Sequence, residues 1–236
     1  MIPVLLILIP LLGGLATFFI KNAQVSRNWA MLCSILTLAV SLAGIFVYNQ
    51  PECLKFDAPW IQLLGSRFTI ALDGMGQMLC LLTALAFPLI FLATWKNNYN
   101  SAGRFFGLML LAQAGLLGVF LAMDALLFYF FWELALIPAY FLCSTWGGEK
   151  RIAATFKFFI YTFLGSLFML ITLIYLYFQT PDASFSIASF HDLNLTISQQ
   201  NWVFWALFIA FAIKMPIFPF HSWQPDTYEQ SPTAVT

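Results

Sequence analysis

Charged residues are scarce in this chain. Only 8% of its 236 residues are Asp, Glu, Lys or Arg, whereas a soluble domain carries roughly a quarter. Hydrophobic residues make up 61% and aromatic residues 18%. A chain with so few polar groups cannot cover a surface that faces water, so we expect lipid to be its main solvent. The formal net charge is zero, which argues against a nucleic-acid partner.

Short motifs that hold metals, nucleotides or redox cofactors are also missing. No CxxC spacing occurs, which disfavours a zinc or iron–sulfur site; the four cysteines are Cys33, Cys53, Cys80 and Cys143. The patterns GxxxxGKS, GxGxxG and HExxH are absent, so nothing indicates a P-loop, a dinucleotide site or a zinc protease. We therefore expect this chain to bind no cofactor and no metal.

Long apolar runs are what the chain has in abundance. A membrane-spanning helix needs about 20 mostly apolar residues. Seven segments qualify, at roughly 2–20, 28–48, 75–95, 105–123, 125–146, 156–179 and 201–222. The runs are continuous rather than alternating, which favours helices over barrel strands. The predicted fold is an all-α polytopic membrane helix bundle with a proline-broken helix near 201–222. Mixed polar loops are expected at about 49–74 and 180–200.

Basic residues are distributed unequally between the two sides of this bundle. If the N-terminus faces outward, the inner side carries seven of them: Lys21, Arg27, Lys96, Arg104, Lys150, Arg151 and Lys157. The outer side carries only Lys55 and Arg67. Because basic loops stay on the cytoplasmic side, the sequence predicts a multi-pass protein with its N-terminus outside.

Two formal charges lie deep within the predicted spans, Glu133 in the fifth and Lys214 in the seventh. Both helices run from outside to inside, so their depths can be compared. Glu133 lies about 12 Å below Ala125, and Lys214 lies about 18 Å below Trp202. Since the difference is about one helical turn, the two side chains are expected to form an ion pair if the helices pack together.

Such a pair has an adjustable proton affinity. A charge at the centre of a bilayer costs about 3 kcal/mol on insertion scales, and desolvation disfavours both charged forms. An opposite charge at about 4 Å stabilises the charged form by about 4 kcal/mol at an effective dielectric constant of about 20. Because the two terms nearly balance, displacing one partner changes the proton affinity of the other, as a proton relay requires. The alternative is a pair that merely fixes helix register.

Prolines interrupt the seventh span just after its lysine. Pro216 and Pro219 lack an amide, so the carbonyls of Ala212 and Met215 lose their helical partners on either side of Lys214. Broken helix at membrane depth is tolerated where it is buried in protein or lines a watery cavity. The prolines therefore favour a functional site around the lysine.

Two further candidates have two interpretations each. Lys157, just inside its helix, either reaches back to the inner surface or takes part in the relay. His221, one to two turns below Lys214, either hydrogen-bonds at the interface or passes a proton onward, because imidazole exchanges protons near neutral pH. Tryptophans are interpreted mostly as anchors at the membrane boundary; these are Trp60, Trp95, Trp132, Trp146, Trp202 and Trp223.

Three blocks of sequence carry a family resemblance: "MDALLFYFFWELALIPAYFLCSTWGG", "RIAATFKFFIYTFLGSLFMLI" and "AFAIKMPIFPFHSWQPDTYEQSPTA". They closely resemble the antiporter-like membrane subunits of respiratory complex I, the NADH:quinone oxidoreductase. The specific signal runs from about 105 to 236, and the first hundred residues agree mainly in pattern. The combination of "WE…P" with "KMPxxPFHxWxPD" is highly specific.

The resemblance implies a proton-pumping subunit. Residues 1–104 would form three N-terminal transmembrane helices, and residues 105–236 would begin a proton-translocating repeat that builds an antiporter-like half-channel. The resemblance places the glutamate of helix five on Glu133 and the lysine of the broken helix on Lys214. It places a further lysine on Lys157 and the histidine of the "PFH" block on His221. Family members continue with more helices that carry ionisable residues, so we expect either that this chain is a fragment or that the missing residues come from another chain.

The same resemblance implies the surroundings of the chain. The location would be a bacterial inner (plasma) membrane, and the partners would be other membrane subunits of complex I, the lipid bilayer, protons and water. NADH, FMN, iron–sulfur clusters and quinone are expected in partner subunits. The leading prediction is a non-redox, proton-translocating subunit of NADH:quinone oxidoreductase.

Two other functions share these features. A subunit of a multisubunit Na⁺/H⁺ antiporter or of a membrane-bound hydrogenase carries the same motifs, although the wording "FAIKMPIFPFHSWQPD" favours complex I. The third class is a membrane scaffold that transports nothing. Normal proton pumping after Glu133→Ala and Lys214→Ala in the full-length protein would favour the scaffold.

Overall fold

The computed structural model describes residues 1–48 and 50–236, which form ten α-helices and one β-hairpin. The helices are α1 (Ile2–Thr17), α2 (Ala23–Phe46), α3 (Pro51–Leu54), α4 (Gly74–Ala93), α5 (Ala102–Leu121), α6 (Ala125–Trp146), α7 (Arg151–Gln179), α8 (Ile187–His191), α9 (Ile197–Lys214) and α10 (Trp223–Gln230). The strands are β1 (Lys55–Ile61) and β2 (Ser66–Ala71). Short 3₁₀ turns lie between the strands, at Gln62–Leu64, and before α10, at Phe220–Ser222.

Seven of these helices correspond to the predicted spans: α1, α2, α4, α5, α6, α7 and α9. Of the described helices, five are long and apolar enough to cross a membrane, namely α2, α4, α5, α6 and α7. Helix α1 is shorter, with 16 residues. Helix α9 starts at Ile197 and ends at Lys214, rather than running from 201 to 222. The all-α membrane bundle is confirmed, whereas the number of seven spans is not.

Glycines allow α5 to pack closely against α1 and α6. A Cβ added to Gly14 of α1 would lie 2.9 Å from the carbonyl oxygen of Gly107 on α5. A Cβ added to Gly115 of α5 would lie 2.9 Å from backbone atoms of Ala135 on α6. Helices in lipid associate through such close approach, because lipid tails remove the hydrophobic drive between them. Helix α5 thereby holds α6, which carries Glu133, in place.

The segment 49–74, expected to be a mixed polar loop, contains the hairpin of β1 and β2. Its strands pair antiparallel, starting from Lys55 opposite Ala71. Exposed and half-buried side chains alternate along β1, and the alternation in "KFDAPWI" is a strand signal that the sequence analysis missed. The amino group of Met1 donates to the carbonyl of Cys53 at 2.9 Å, so the N-terminus lies beside this hairpin.

The two ends of the bundle differ in charge. We call the end with Met1 and β1–β2 the hairpin face, and the end with the seven basic residues named above the basic face. The connections 18–22, 94–101 and 147–150 and the segment 215–236 lie at the basic face, as the alternating directions of the helices require.

Asp124 joins the hairpin to the start of α6. Its buried carboxylate accepts hydrogen bonds from the amides of Leu126 and Leu127 at 3.0 and 3.1 Å, as an N-cap does. It also accepts from the Ser66 hydroxyl at 2.9 Å and from the Arg67 amide at 3.2 Å. Asp124 lies between the predicted spans 105–123 and 125–146, and the sequence did not indicate its contact with β2.

Replacing Asp124 with alanine is expected to destabilise the protein by about 3 kcal/mol, because the buried donors around the carboxylate lose their acceptor. A fall in the midpoint of thermal unfolding in detergent is the measurement. Asp124→Asn keeps an acceptor oxygen and is the matched control, with a smaller expected loss. Equal unfolding midpoints for wild type and Asp124→Ala would contradict this role.

A pH dependence is expected at the exposed surface of the hairpin. The Arg67 guanidinium donates to Asp57 at 2.9 and 2.6 Å, and together with the Thr69 hydroxyl it lowers the pKa of Asp57 to about 2. The pKa of an unfolded aspartate is about 3.9. This contact therefore stabilises the fold above that pH and loses its effect as the pH falls towards 2. The effect is small because both groups are exposed. Unfolding midpoints of wild type and Asp57→Asn should therefore differ at pH 6 and converge in acid; a gap that does not change with pH would refute the assignment.

Candidate functional site

Helix α9 is broken immediately after Lys214. The segment 215–219 has no regular helix, and Pro216 and Pro219 in it lack amides. The carbonyl of Ala212, predicted to lose its helical partner, instead accepts from the Ile217 amide at 2.8 Å. The next carbonyl, that of Ile213, accepts from the Trp223 indole at 2.9 Å. The break is thus an ordered turn. Residues that follow it donate hydrogen bonds to carbonyls that the break leaves without a helical partner.

Lys214 occupies the last position of α9 and is half-buried. Its Nζ lies 5.1 Å from the centroid of the Trp132 ring on α6, close enough for a cation–π contact. The Phe211 ring meets the same indole edge-on, with centroids 5.7 Å apart. The ring of Trp132, backed by that of Phe211, therefore lies beside the ammonium where a carboxylate was expected. Trp132 is thus not a boundary anchor.

Glu133 is half-buried on α6, and its Oε1 is wholly buried. In the part of the chain that the structure describes, Oε1 has no hydrogen-bond partner. A buried carboxylate oxygen without a donor is costly when the group is ionised. Glu133 is therefore a buried polar group that the described part of the protein leaves without a partner at Oε1.

The expected direct ion pair between Glu133 and Lys214 is not formed. Within residues 1–48 and 50–236, no contact of 4.0 Å or less joins the carboxylate to the ammonium. The Lys214 ammonium instead faces the ring of Trp132, the residue next to Glu133 on α6. Helix α7 packs against both α6 and α9, and Gly165 of α7 lies against Ile213. The depth prediction did not account for this third helix or for the Trp132 ring beside the ammonium.

Lys157, together with its partner Asp226, forms a second charged part of the site, separate from Glu133 and Lys214. Its ammonium donates to Asp226 at 2.8 Å and to the carbonyl of Ser222 at 2.8 Å. The Tyr161 hydroxyl lies 3.1 Å from the Ser222 hydroxyl. These contacts tie α7 to the turn and to α10, which follow the break in α9. Lys157 therefore does not simply extend to the surface of the membrane.

His221 lies apart from the other predicted site residues. It is exposed on the 3₁₀ turn, where its ring faces that of Phe218 with centroids 5.6 Å apart. Among the residues that the structure describes, it makes no hydrogen bond to Glu133, Lys157 or Lys214. The three other candidates, Glu133, Lys157 and Lys214, lie on α6, α7 and α9, and α7 packs against the other two helices. His221 lies on the exposed turn after the break.

A cavity of about 670 Å³ opens beside Lys214. Helices α4, α5, α6 and α10 form most of its wall, and Lys214 is the only charged residue among the described residues that line it. The indoles of Trp132 and Trp223 also line it. The cavity gives the ammonium room for water or for a further protein group, in an otherwise mostly apolar setting.

Three residues of the site were not singled out in the sequence. Asp226 is the last residue of the "KMPxxPFHxWxPD" block. The resemblance therefore contained a signal for this partner of Lys157. Trp132 and Trp223 were interpreted as interfacial anchors, but Trp132 contacts Lys214 and Trp223 donates to the broken backbone. No sequence signal separates such tryptophans from anchors, because both sit in apolar surroundings.

Comparisons with known proteins agree with this architecture. Residues 122–236 match the family model described as NADH:quinone oxidoreductase/Mrp antiporter, TM. The chain is 39% identical to F(420)H(2) dehydrogenase subunit M of Methanosarcina mazei, over 99% of this chain and 50% of that protein. It is 36% identical to NADH-quinone oxidoreductase subunit M of Escherichia coli K12, over 97% of this chain and 49% of that protein.

A solved structure agrees as well. Respiratory complex I from Thermus thermophilus with bound NADH contains a chain with a TM-score of 0.86 and 30% identity, over 98% of this chain and 47% of that one. The chain thus spans about half the length of the curated relatives that it matches. On these grounds residues 122–236 belong to the family described as NADH:quinone oxidoreductase/Mrp antiporter, TM, and nearly the whole chain is similar to the subunit M proteins named above.

Proposed function

We propose that this chain moves protons as part of a membrane subunit of an NADH:quinone oxidoreductase-type complex, driven by quinone reduction in other subunits. The observation that carries the proposal is the end of α9 at Lys214, whose ammonium faces Trp132, the neighbour of the buried Glu133 on α6. The names of the relatives, which are subunits of a quinone oxidoreductase and of a dehydrogenase, support the same class.

The proton chemistry follows from the environment of the two groups. Opposite charges stabilise each other, and they do so more strongly in an apolar setting than in water. The two are near without touching, so a small movement of α9 or of the Trp132 ring changes how strongly each charge stabilises the other. Such a change raises the proton affinity of one group and lowers that of the other, which moves a proton along the site.

The second charged part supplies the exchange with the aqueous side in this proposal. Asp226 and Lys157 are half-exposed at the basic face, with side-chain exposures of 53% and 34%. The cavity beside Lys214 is also lined by Phe158 and Thr227, the sequence neighbours of this pair, and water in it would connect the pair with Lys214. His221 acts as an exchange group on the exposed side of the break.

We also propose how the chain is divided, how it is oriented in the membrane and what it assembles with. Residues 105–236 form the start of the proton-translocating repeat, and residues 1–104 brace it. The basic face lies towards the cytoplasm of a bacterial cell, so the N-terminus is outside. The partners are the other membrane subunits of the complex, which hold NADH, FMN, iron–sulfur clusters and quinone with their soluble counterparts.

A multisubunit Na⁺/H⁺ antiporter is the competing function, because the family model includes Mrp antiporters. The ion that moves distinguishes the two. The complex containing the full-length protein is reconstituted in vesicles, and internal acidification is recorded with a pH-sensitive dye during quinone reduction. We expect acidification at the same rate with and without Na⁺. A strict requirement for Na⁺, or acidification without electron transfer when a Na⁺ gradient is imposed, would favour the antiporter.

A further inference from the structure

A groove of about 520 Å³ lies on the basic face, apart from the cavity at Lys214. It is formed by the end of α1, the start of α5 and the end of α6. Its lining comprises Phe18, Asn100, Ser101, Arg104, Leu108, Phe141, Thr145 and Trp146. This volume falls within the range of about 300–1,000 Å³ that is usual for small-molecule sites.

The groove is polar at one end and apolar at the other. Leu108 lies one turn deeper in the bundle than Arg104 on α5, about 6 Å towards the middle of the membrane. Phe141 is likewise about one turn deeper than Thr145 on α6. The polar end is closed by the Trp146 indole, which donates to the carbonyl of Asn100 at 2.8 Å. A ligand that fits must therefore be charged or polar at the level of Arg104 and apolar below it.

The polar end is positively charged. Arg104 is exposed, and its guanidinium makes no hydrogen bond or ion pair with any described residue. It is the only charged side chain among the described residues of the groove. It also stands in the first turn of α5, where the unpaired amides and the helix dipole favour an anion. The Arg104 guanidinium is therefore free to pair with an anionic group of a ligand in the groove.

We propose that this groove binds one anionic phospholipid, with its phosphate on Arg104 and an acyl chain along Leu108, Phe18 and Phe141. A guanidinium matches phosphate oxygens with paired hydrogen bonds. The depth of the groove suits an acyl chain that enters from the surrounding bilayer, whereas a free phosphate would leave the apolar half empty. The site is independent of the proton path, because none of its residues lines the cavity at Lys214.

Native mass spectrometry of the assembled complex, released from nanodiscs, tests this site. The nanodiscs contain phosphatidylglycerol or phosphatidylcholine. We expect wild type to retain one phosphatidylglycerol that Arg104→Ala retains about tenfold less, since a charge-assisted contact is lost. Lys96→Ala, which removes a positive charge from the same face outside the groove, is the matched control and should behave as wild type. Thr145→Trp, which fills the groove without changing charge, should also lose the lipid.

Three results would overturn the proposal. Equal retention by wild type and both groove variants would show that no lipid is held there. Equal retention of phosphatidylcholine and phosphatidylglycerol would remove the role of Arg104. Displacement of the lipid by millimolar inorganic phosphate would identify a free-anion site instead. Quinone-driven acidification is expected to persist in Arg104→Ala, so a failure of this site and a failure of the proposed function are distinguishable.

Discussion

Glu133→Gln and Lys214→Ala are each expected to lower the proton translocation of the assembled complex by at least about tenfold, because a positioned proton-transfer group contributes typically about 10²–10⁴-fold. Glutamine keeps the shape of the glutamate side chain but cannot release a proton. Alanine removes the only charge among the described residues of the cavity wall. The measurement is vesicle acidification per quinone reduced, so that slow electron transfer is not mistaken for lost pumping.

Matched controls separate this effect from general damage. Glu149→Gln and Lys96→Ala change the same residue types at exposed positions of the basic face, and both should pump as wild type does. The double variant Glu133→Gln/Lys214→Ala should be no worse than the more severe single variant, because the two residues act as a unit. Full pumping by either single variant in assembled complex would refute the relay.

The second large effect is expected at Lys157. Lys157→Ala breaks the contacts that hold α10 and the turn before it against α7, and it removes the charge beside Asp226. We expect proton translocation to fall roughly tenfold if this pair supplies the exchange with the aqueous side. Lys157→Arg keeps a cation that can donate to both acceptors and should retain most of the activity.

Asp226 provides the internal check on that prediction. Asp226→Asn should lower translocation alone, and combining it with Lys157→Ala should add little, since both remove the same contact. Lys150→Ala, at the exposed position just before α7, is the control. Additive losses in the double variant, or normal pumping by Lys157→Ala, would mean that the two residues do not share one function.

Most of the bundle was predictable because lipid imposes a simple rule on sequence. Every backbone group must be satisfied within its own helix, so spans show as long apolar runs and rare charges stand out. Glu133 and Lys214 were found in this way, and two prolines located the break after α9. The hairpin was missed because short strands on a surface leave only a brief alternation of side chains.

The arrangement around the site was less accessible. Sequence gives the depth of a residue along its helix, but the direction in which it points depends on how the helices pack. Trp132 and Glu133 are adjacent in sequence and about 100° apart around α6, and it is Trp132 whose ring the Lys214 ammonium faces. The contact between Lys157 and Asp226 joins residues 69 positions apart, which no local pattern reveals.

The most direct test of the relay is the protonation of Glu133 itself during turnover. Infrared difference spectra of the reconstituted complex, recorded on quinone reduction, report a carboxylic acid that gains or loses its proton. We predict a carboxyl band that is absent in Glu133→Gln, unchanged in Glu149→Gln and shifted in Lys214→Ala, because the charge of the lysine acts on the carboxylate. A spectrum of Glu133→Gln identical to that of wild type would show that Glu133 keeps its proton state throughout, which would contradict the account.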